Sequence, residues 1–168
     1  MNNTYLHPLD YVIGAKYYLT DKRVSVEYRV SSKNFYVEEI VDWDRLGYSD
    51  SKGHYMVFKL VKWDTDTLSV LNDLERTTGI PMNNFIVLGL KDRDAWVQQY
   101  VFIKRELIDQ DLFSKPLIRD RYRFEFYGYV ARKPRTNSLL GNRFTVVIED
   151  LGDRDYEVLS EIVKQLSI

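Results

Sequence analysis

The sequence predicts an α+β protein: a mixed, largely antiparallel β-sheet with two main helices, in a single domain over residues 1–168. Three observations carry that expectation. Apolar and polar residues alternate with period two in several segments of strand length, and only two segments show a helical stripe. The composition, 45% hydrophobic and 29% charged over 168 residues, suits one packed core and not a disordered chain.

In chain order, residues 24–30 alternate Val24, Val26, Tyr28 and Val30 against Ser25, Glu27 and Arg29, the period of a half-buried strand. After the turn-rich Ser31-Ser32-Lys33-Asn34, residues 35–41 read as a second strand and 42–53, with two glycines, as a loop. Residues 54–62 resume as a strand with Tyr55, Val57, Lys59 and Val61 on one face and Met56, Phe58 and Leu60 on the other.

A helix follows, capped by Asp64, Thr65 or Asp66, striped by Leu68, Leu71, Leu74 and Glu75, and ended by Gly79 and Pro81. Strands are expected at 85–90, 97–104, 121–130 and 143–149, and an amphipathic helix at 156–168 using Val158, Leu159, Ile162, Val163 and Leu166. The order strand, helix, strand around Asp92 resembles a βαβ unit, so part of the sheet is expected to be parallel.

Composition narrows the function classes. Cysteine is absent, which excludes disulfides and thiolate metal sites, and the two histidines, His7 and His54, are too far apart in sequence to suggest a zinc site. The N-terminal ten residues are polar, without a signal-peptide or membrane-span pattern, so a soluble cytoplasmic protein is the default expectation. A net charge of −1 argues against indiscriminate polyanion binding. The charge is nevertheless segregated: Arg132, Lys133, Arg135 and Arg143 lie in a stretch with no carboxylate. That stretch is either a solvated face or an RNA-backbone contact.

The run Gly89-Leu90-Lys91-Asp92-Arg93-Asp94-Ala95, followed by Gln98 and Gln99, places a carboxylate between two cations after an apolar strand. A carboxylate beside fixed positive charge stays ionised and can serve as nucleophile or base. The run also has ordinary turn composition, so it is weak evidence taken singly.

Three more segments give it weight. Gly89-Leu90-Lys91-Asp92-Arg93, Ala95 and Gln99 resemble the catalytic motif of the tRNA pseudouridine synthase D (TruD) family, Gly-x-Lys-Asp-(Lys/Arg)-x-Ala-x-Thr-x-Gln. Phe35-Tyr36-Val37-Glu38-Glu39 resembles its Phe-x-Val-x-Glu strand. Gly53-His54 with Val57, Lys59, Lys62 and Asp66-Thr67 resembles its Gly-x-His segment and following helix start. Leu140-Gly141-Asn142-Arg143-Phe144 is similar to its Gly-Asn-x-Phe motif, approached through Ala131-Arg132-Lys133.

The chain departs from the pattern at Val97, where the family has Thr, at Ser32-Lys33-Asn34, where it has Pro-Glu-Asp, and at Arg29, where it generally has Lys. Family enzymes continue into a second half of the catalytic domain and carry an inserted domain, neither of which this sequence contains.

The resemblance implies half of a pseudouridine synthase catalytic fold, acting on tRNA or another structured RNA without cofactor or metal and without a membrane. It implies Asp92 as the catalytic carboxylate, with Arg29 and Lys91 holding it ionised. Phe144 would stack on an extruded uracil, Asn142 would meet its edge or position the backbone, Phe35 would form a further wall, and Arg132, Lys133, Arg135 and Arg143 would contact RNA phosphates. Read without it, Phe35 and Phe144 are core packing, His54 is a solvated residue at a strand start, and Gln98 and Gln99 are exposed strand positions. Two functions remain: an enzyme, alone or with a second chain or copy completing the cleft, and a non-catalytic RNA-binding or assembly module.

Overall fold

The computed structural model describes Val24 and residues 28–109 and 112–166. Residues 30–147 gather into one compact unit, and the chain from Ile148 onward belongs to another together with the segment up to Arg29. The first unit contains β1 (Phe35–Val41), the one-turn helix α1 (Trp43–Leu46), β2 (Tyr48–Ser49), β3 (Tyr55–Lys62), α2 (Thr67–Thr78) and β4 (Ile86–Val87). It continues with β5 (Trp96–Lys104), β6 (Leu117–Ile118), β7 (Tyr122–Val130) and β8 (Leu139–Val146). The other unit carries α3 (Asp153–Leu166), whose first turn holds Asp153 and Asp155, a favourable place for negative charge on a helix.

The strands form one sheet in the order β2-β7-β3-β5-β1-β8, with β4 paired to β5 and β6 to β7. Among the described residues β1 and β5 pair in parallel, and the other pairings are antiparallel. This is the mixed, largely antiparallel sheet with two main helices that the alternation predicts. Register fixes the two ends of the sheet. Lys62 lies opposite Val97, Tyr36 beside Trp96 and Phe35 opposite Val146, so these residues share one end. Tyr55, Lys104, Val130 and Leu139 share the other.

Both faces of the central strands are covered. Phe58 and Leu60 of β3 and Val101 and Ile103 of β5 pack with Val70, Leu71 and Leu74 of α2. Tyr55, Val57, Tyr100 and Phe102 join Leu46, Leu88 and Val130 on the opposite face. The α2 ends are those the sequence offers: Asp66 accepts hydrogen bonds from Ser69 N (2.9 Å) and Ser69 Oγ (2.7 Å), and Gly79 closes the helix at φ 72°.

Several expectations are corrected. The inward stripe of α2 is Thr67, Val70, Leu71 and Leu74, while Leu68 is exposed. The 42–53 loop contains α1 and β2, because Asp42 caps a helical turn by accepting from Arg45 N. The strand expected at 85–90 shrinks to two residues, and the one expected at 143–149 begins at Leu139, since pairing with β1 extends through Gly141. β3 and β5, which flank α2, are antiparallel; the intervening β4 takes the direction of β3, and the loop carrying Asp92 reverses the chain once more. Of the strand expected at 24–30, residues 25–27 lie outside the described residues, and Val24 and 28–30 are not in a strand.

Candidate active site

The loop between β4 and β5 carries Asp92, and its backbone is held from three directions. Lys62 is fully buried, next in register after Phe58 and Leu60 on the helix-covered face. Its Nζ donates to the Asp92 carbonyl oxygen at 2.6 Å and to the Thr65 carbonyl at 2.9 Å. The Lys91 N–H donates to Thr67 Oγ1 (3.2 Å), and that hydroxyl donates to Gln99 Oε1 (2.9 Å). Lys91 Nζ reaches Glu39 Oε1 at 2.7 Å, an ionic contact without an aligned hydrogen bond, while Glu39 Oε2 accepts from Tyr100 N at 2.9 Å. The Asp92 residue itself is exposed.

Burial dominates the electrostatics of this cluster. It pushes the Glu39 carboxyl above the ordinary carboxylate range, against the opposing pull of Lys91 and the Tyr100 N–H. Burial also pulls the Lys62 ammonium down to about 8, with Asp66 and Asp92 acting against it and Lys91 adding to it. Lys91 is paired with Glu39, and Lys62 is the buried cation that holds the Asp92 carbonyl.

Glu39, Gln99 and Asn142 come from β1, β5 and β8, three adjacent strands. Asn142 lies directly opposite Glu39, and Gln99 falls one residue beyond the Glu38–Gln98 pair. Gln99 Nε2 and Asn142 Oδ1 are buried without a hydrogen-bond partner among the described residues. Gln99, fully buried, is therefore neither an exposed strand position nor a surface contact to RNA.

Two residues along β8, on the same face as Asn142, Phe144 stacks on Phe35 with centroids 5.8 Å apart and planes 12° apart. Phe144 remains 58% exposed, which is not how a core residue sits. Phe35 is half-buried against Val37, Ala95 and Val97. Val97, the departure from the motif's Thr, is fully buried in that apolar cluster.

The structure separates Arg132, Lys133, Arg135 and His54 from this end of the sheet. Arg132, Lys133 and Arg135 are exposed and follow β7 at the opposite end, where Arg132 Nη1 donates to the Arg45 carbonyl at 2.7 Å. Arg143 alternates to the face away from Asn142 and Phe144, with Nη1 3.8 Å from Glu38 Oε2. His54 precedes β3 at the end away from Asp92. Arg29 is exposed and belongs to the other unit.

Sequence reading missed Glu39, Lys62, Thr67 and Gln99 as a connected group. The signal was present for two of them: Glu39 shares its strand face with Val37, and Lys62 shares its face with Leu60 and Phe58. A charge in a core-facing register requires a partner.

Among the described residues no cluster of three or more histidine, cysteine, aspartate or glutamate side chains could hold a metal ion, and no helix is long and apolar enough to cross a membrane.

The loop between β4 and β5 thus joins a buried, partnered framework to exposed carboxylates at Asp92 and Asp94, and comparison with known proteins places the chain in a family. Residues 12–168 match the family model described as tRNA pseudouridine synthase D (TruD). The chain belongs to the TruD family. A probable tRNA pseudouridine synthase D from Thermococcus onnurineus is 31% identical over 113 residues, 67% of this chain and 26% of that protein. One from Archaeoglobus fulgidus is 29% identical over 155 residues, 92% of this chain and 36% of that protein. A solved structure assigned to TruD from Methanosarcina mazei superposes with a TM-score of 0.66 at 21% identity, over 82% of this chain and 30% of the other, and shows the same fold. The chain thus spans about a third of the length of the curated relatives it matches.

Proposed function

We propose that this chain acts in the isomerisation of uridine to pseudouridine in tRNA, with Asp92 as the catalytic carboxylate, and that a second polypeptide or a second copy completes the cleft. With tRNA as substrate, the cytoplasm is its compartment. The observation that carries the reading is the contrast at Asp92: a loop tied down at its backbone by Lys62 and Thr67 and through the Lys91 side chain by Glu39, and an exposed Asp92 side chain. Such fixing keeps a reacting group oriented without reorganisation.

The reaction breaks the bond from ribose C1′ to uracil N1 and forms one from C1′ to C5; N1 gains a proton and C5 loses one, so no oxidant or reductant takes part. A carboxylate can attack the sugar or accept the C5 proton. In this reading Phe144, exposed and stacked on Phe35, offers its free face to the extruded base, and Asn142 supplies a polar group beside it. The proposed roles of Arg29 beside Asp92 and of Arg143 on phosphate belong to the same reading.

The test incubates unmodified tRNA transcripts with the chain, alone and with lysate of its source, and maps pseudouridine. Product above the lysate background is expected, and Asp92→Asn should remove it while leaving the circular dichroism spectrum unchanged, because the residue is exposed. Equal product from Asp92→Asn sinks the assignment. Phe144→Ala should also lose product, with unfolding stability within about 1 kcal/mol of wild type as expected for a largely exposed side chain. RNA binding without product in either condition favours the second reading, a non-catalytic RNA-binding or assembly module. Its support is Val97, which replaces the motif's hydroxyl with buried apolar packing.

A further inference from the structure

The sheet end away from Asp92 holds an open hollow of about 810 Å³, whose lining includes Gly47, Lys52, Gly53, His54, Arg105 and Ala131. Gly47, Gly53 and Ala131 give it little side-chain bulk. Gly53 is there by necessity: a Cβ at this position would lie 2.6 Å from the Val130 carbonyl oxygen and 2.8 Å from Tyr129 Cβ, so only glycine lets the loop meet β7 so closely. The polar lining holds two cations, Lys52 and Arg105, beside Ser49, His54 and one carboxylate, Glu106. The Arg105 guanidinium lies over the Tyr129 ring at 5.3 Å from its centroid, and the Arg105 N–H donates to the His54 carbonyl at 3.0 Å, which fixes strand end to loop. Lys52 has no carboxylate partner among the described residues. Glu106, the acidic lining residue, is already paired with Lys104 at 3.3 Å. Arg132 and Lys133 follow immediately after Ala131, the residue at the hollow's edge.

We infer that this hollow is a binding site for the phosphodiester backbone of RNA, with Lys52, Arg105 and His54 facing the phosphate oxygens and Arg132 and Lys133 continuing the track. The inference rests on the RNA-directed reading above and adds a second contact point to it. Seven residue rises along β3 separate Tyr55 from Lys62, about 23 Å at the usual strand rise, so one ligand meets both ends only if it is a folded RNA and not a nucleotide. A backbone site of this kind positions the RNA without reading sequence, through charge neutralisation and backbone and side-chain donors.

The experiment measures binding of a fluorescein-labelled unmodified tRNA transcript across a range of salt concentrations. The variants are Lys52→Gln/Arg105→Gln in the hollow and a charge-matched control on other exposed surfaces, Arg76→Gln/Lys115→Gln. The hollow variant should bind roughly tenfold more weakly at low salt, with the slope of log affinity against log salt reduced by about 1.5, as expected for two lost phosphate contacts. The control should stay near wild type. An ethylation-interference footprint should lose phosphate protections in the hollow variant only. If tRNA binds and both variants match wild type in affinity, slope and footprint, the hollow is no backbone site, and the Asp92 assignment stands or falls separately on pseudouridine formation. If wild type does not bind the transcript at all, this inference and the RNA-directed reading fail together.

Discussion

Replacing Glu39 with glutamine should lower the unfolding free energy at neutral pH by less than the roughly 3–5 kcal/mol of an ordinary broken buried pair, because burial already penalises the ionised Glu39 carboxyl. Both side chains are almost fully enclosed, with 8% exposure for Lys91 and 0% for Glu39. Glutamine keeps the shape and can still accept from Tyr100 N, but its amide N–H groups or neutral oxygen would then face the Lys91 ammonium in place of a carboxylate. The cost is an uncompensated buried charge and not the loss of one contact. The double variant Glu39→Gln/Lys91→Met should recover most of the loss, because an apolar stem replaces the stranded cation. Urea unfolding of the three proteins checks this.

The pH dependence has a definite sign. Burial raises the Glu39 carboxyl above its ordinary 4.5, so the folded state holds this proton more tightly than the unfolded chain. Its contribution is fully present below the unfolded pKa and is lost as pH rises through the folded value. Glu39→Gln should flatten that part of the acid-side profile. Wild-type stability in Glu39→Gln would mean that the pair does not couple β1 to the Asp92 loop.

The parts of the fold legible in the sequence are those in which local pattern and tertiary packing agree. Residues 35–41 alternate and form a strand with those limits, and Asp66 and Gly79 bound α2 because capping chemistry is local. What escaped was decided across the sheet. Gly141 and Asn142 look like turn residues, yet pairing to Ile40 and Glu39 draws them into β8. The strand–helix–strand pattern around α2 does deliver β3 and β4 in the same direction, but β5 runs against both, and its parallel neighbour is β1.

The site shows the same division. Asp92 could be found from its flanking charges, whereas Glu39, the partner of Lys91, lies far upstream in an alternation that reads as plain strand. Lys91 was expected to attend Asp92. Its neighbour in sequence is reached through the backbone, and its charge is spent on the carboxylate buried beside it.

Lys62→Met should remove a distinct alkaline rise in stability. Burial pulls the Lys62 ammonium from its ordinary 10.5 down to about 8. Between those values the unfolded chain carries a proton that the folded protein has released, so stability must increase with pH. Across the window from about 8 to about 10.5 the gain approaches 3 kcal/mol, at roughly 1.4 kcal/mol for each pH unit crossed. A neutral amine retains two N–H donors for the Asp92 and Thr65 carbonyls, so deprotonation relieves the charge penalty without breaking either bond. Methionine fills the same channel but leaves both carbonyls without a donor. The variant should therefore be less stable at pH 10 by a margin that narrows as pH falls toward 7, since wild type loses its neutral-lysine advantage over that range. Urea unfolding of both proteins at pH 7, 8.5 and 10 reads the difference, in which titration of the tyrosines common to both cancels. Amide hydrogen exchange should also accelerate at residues 91–93 in Lys62→Met, because the Asp92 carbonyl is the loop's tie to β3. A stability difference that is flat with pH would show that Lys62 stays charged in the core, held there by Asp66 and Asp92 against its burial.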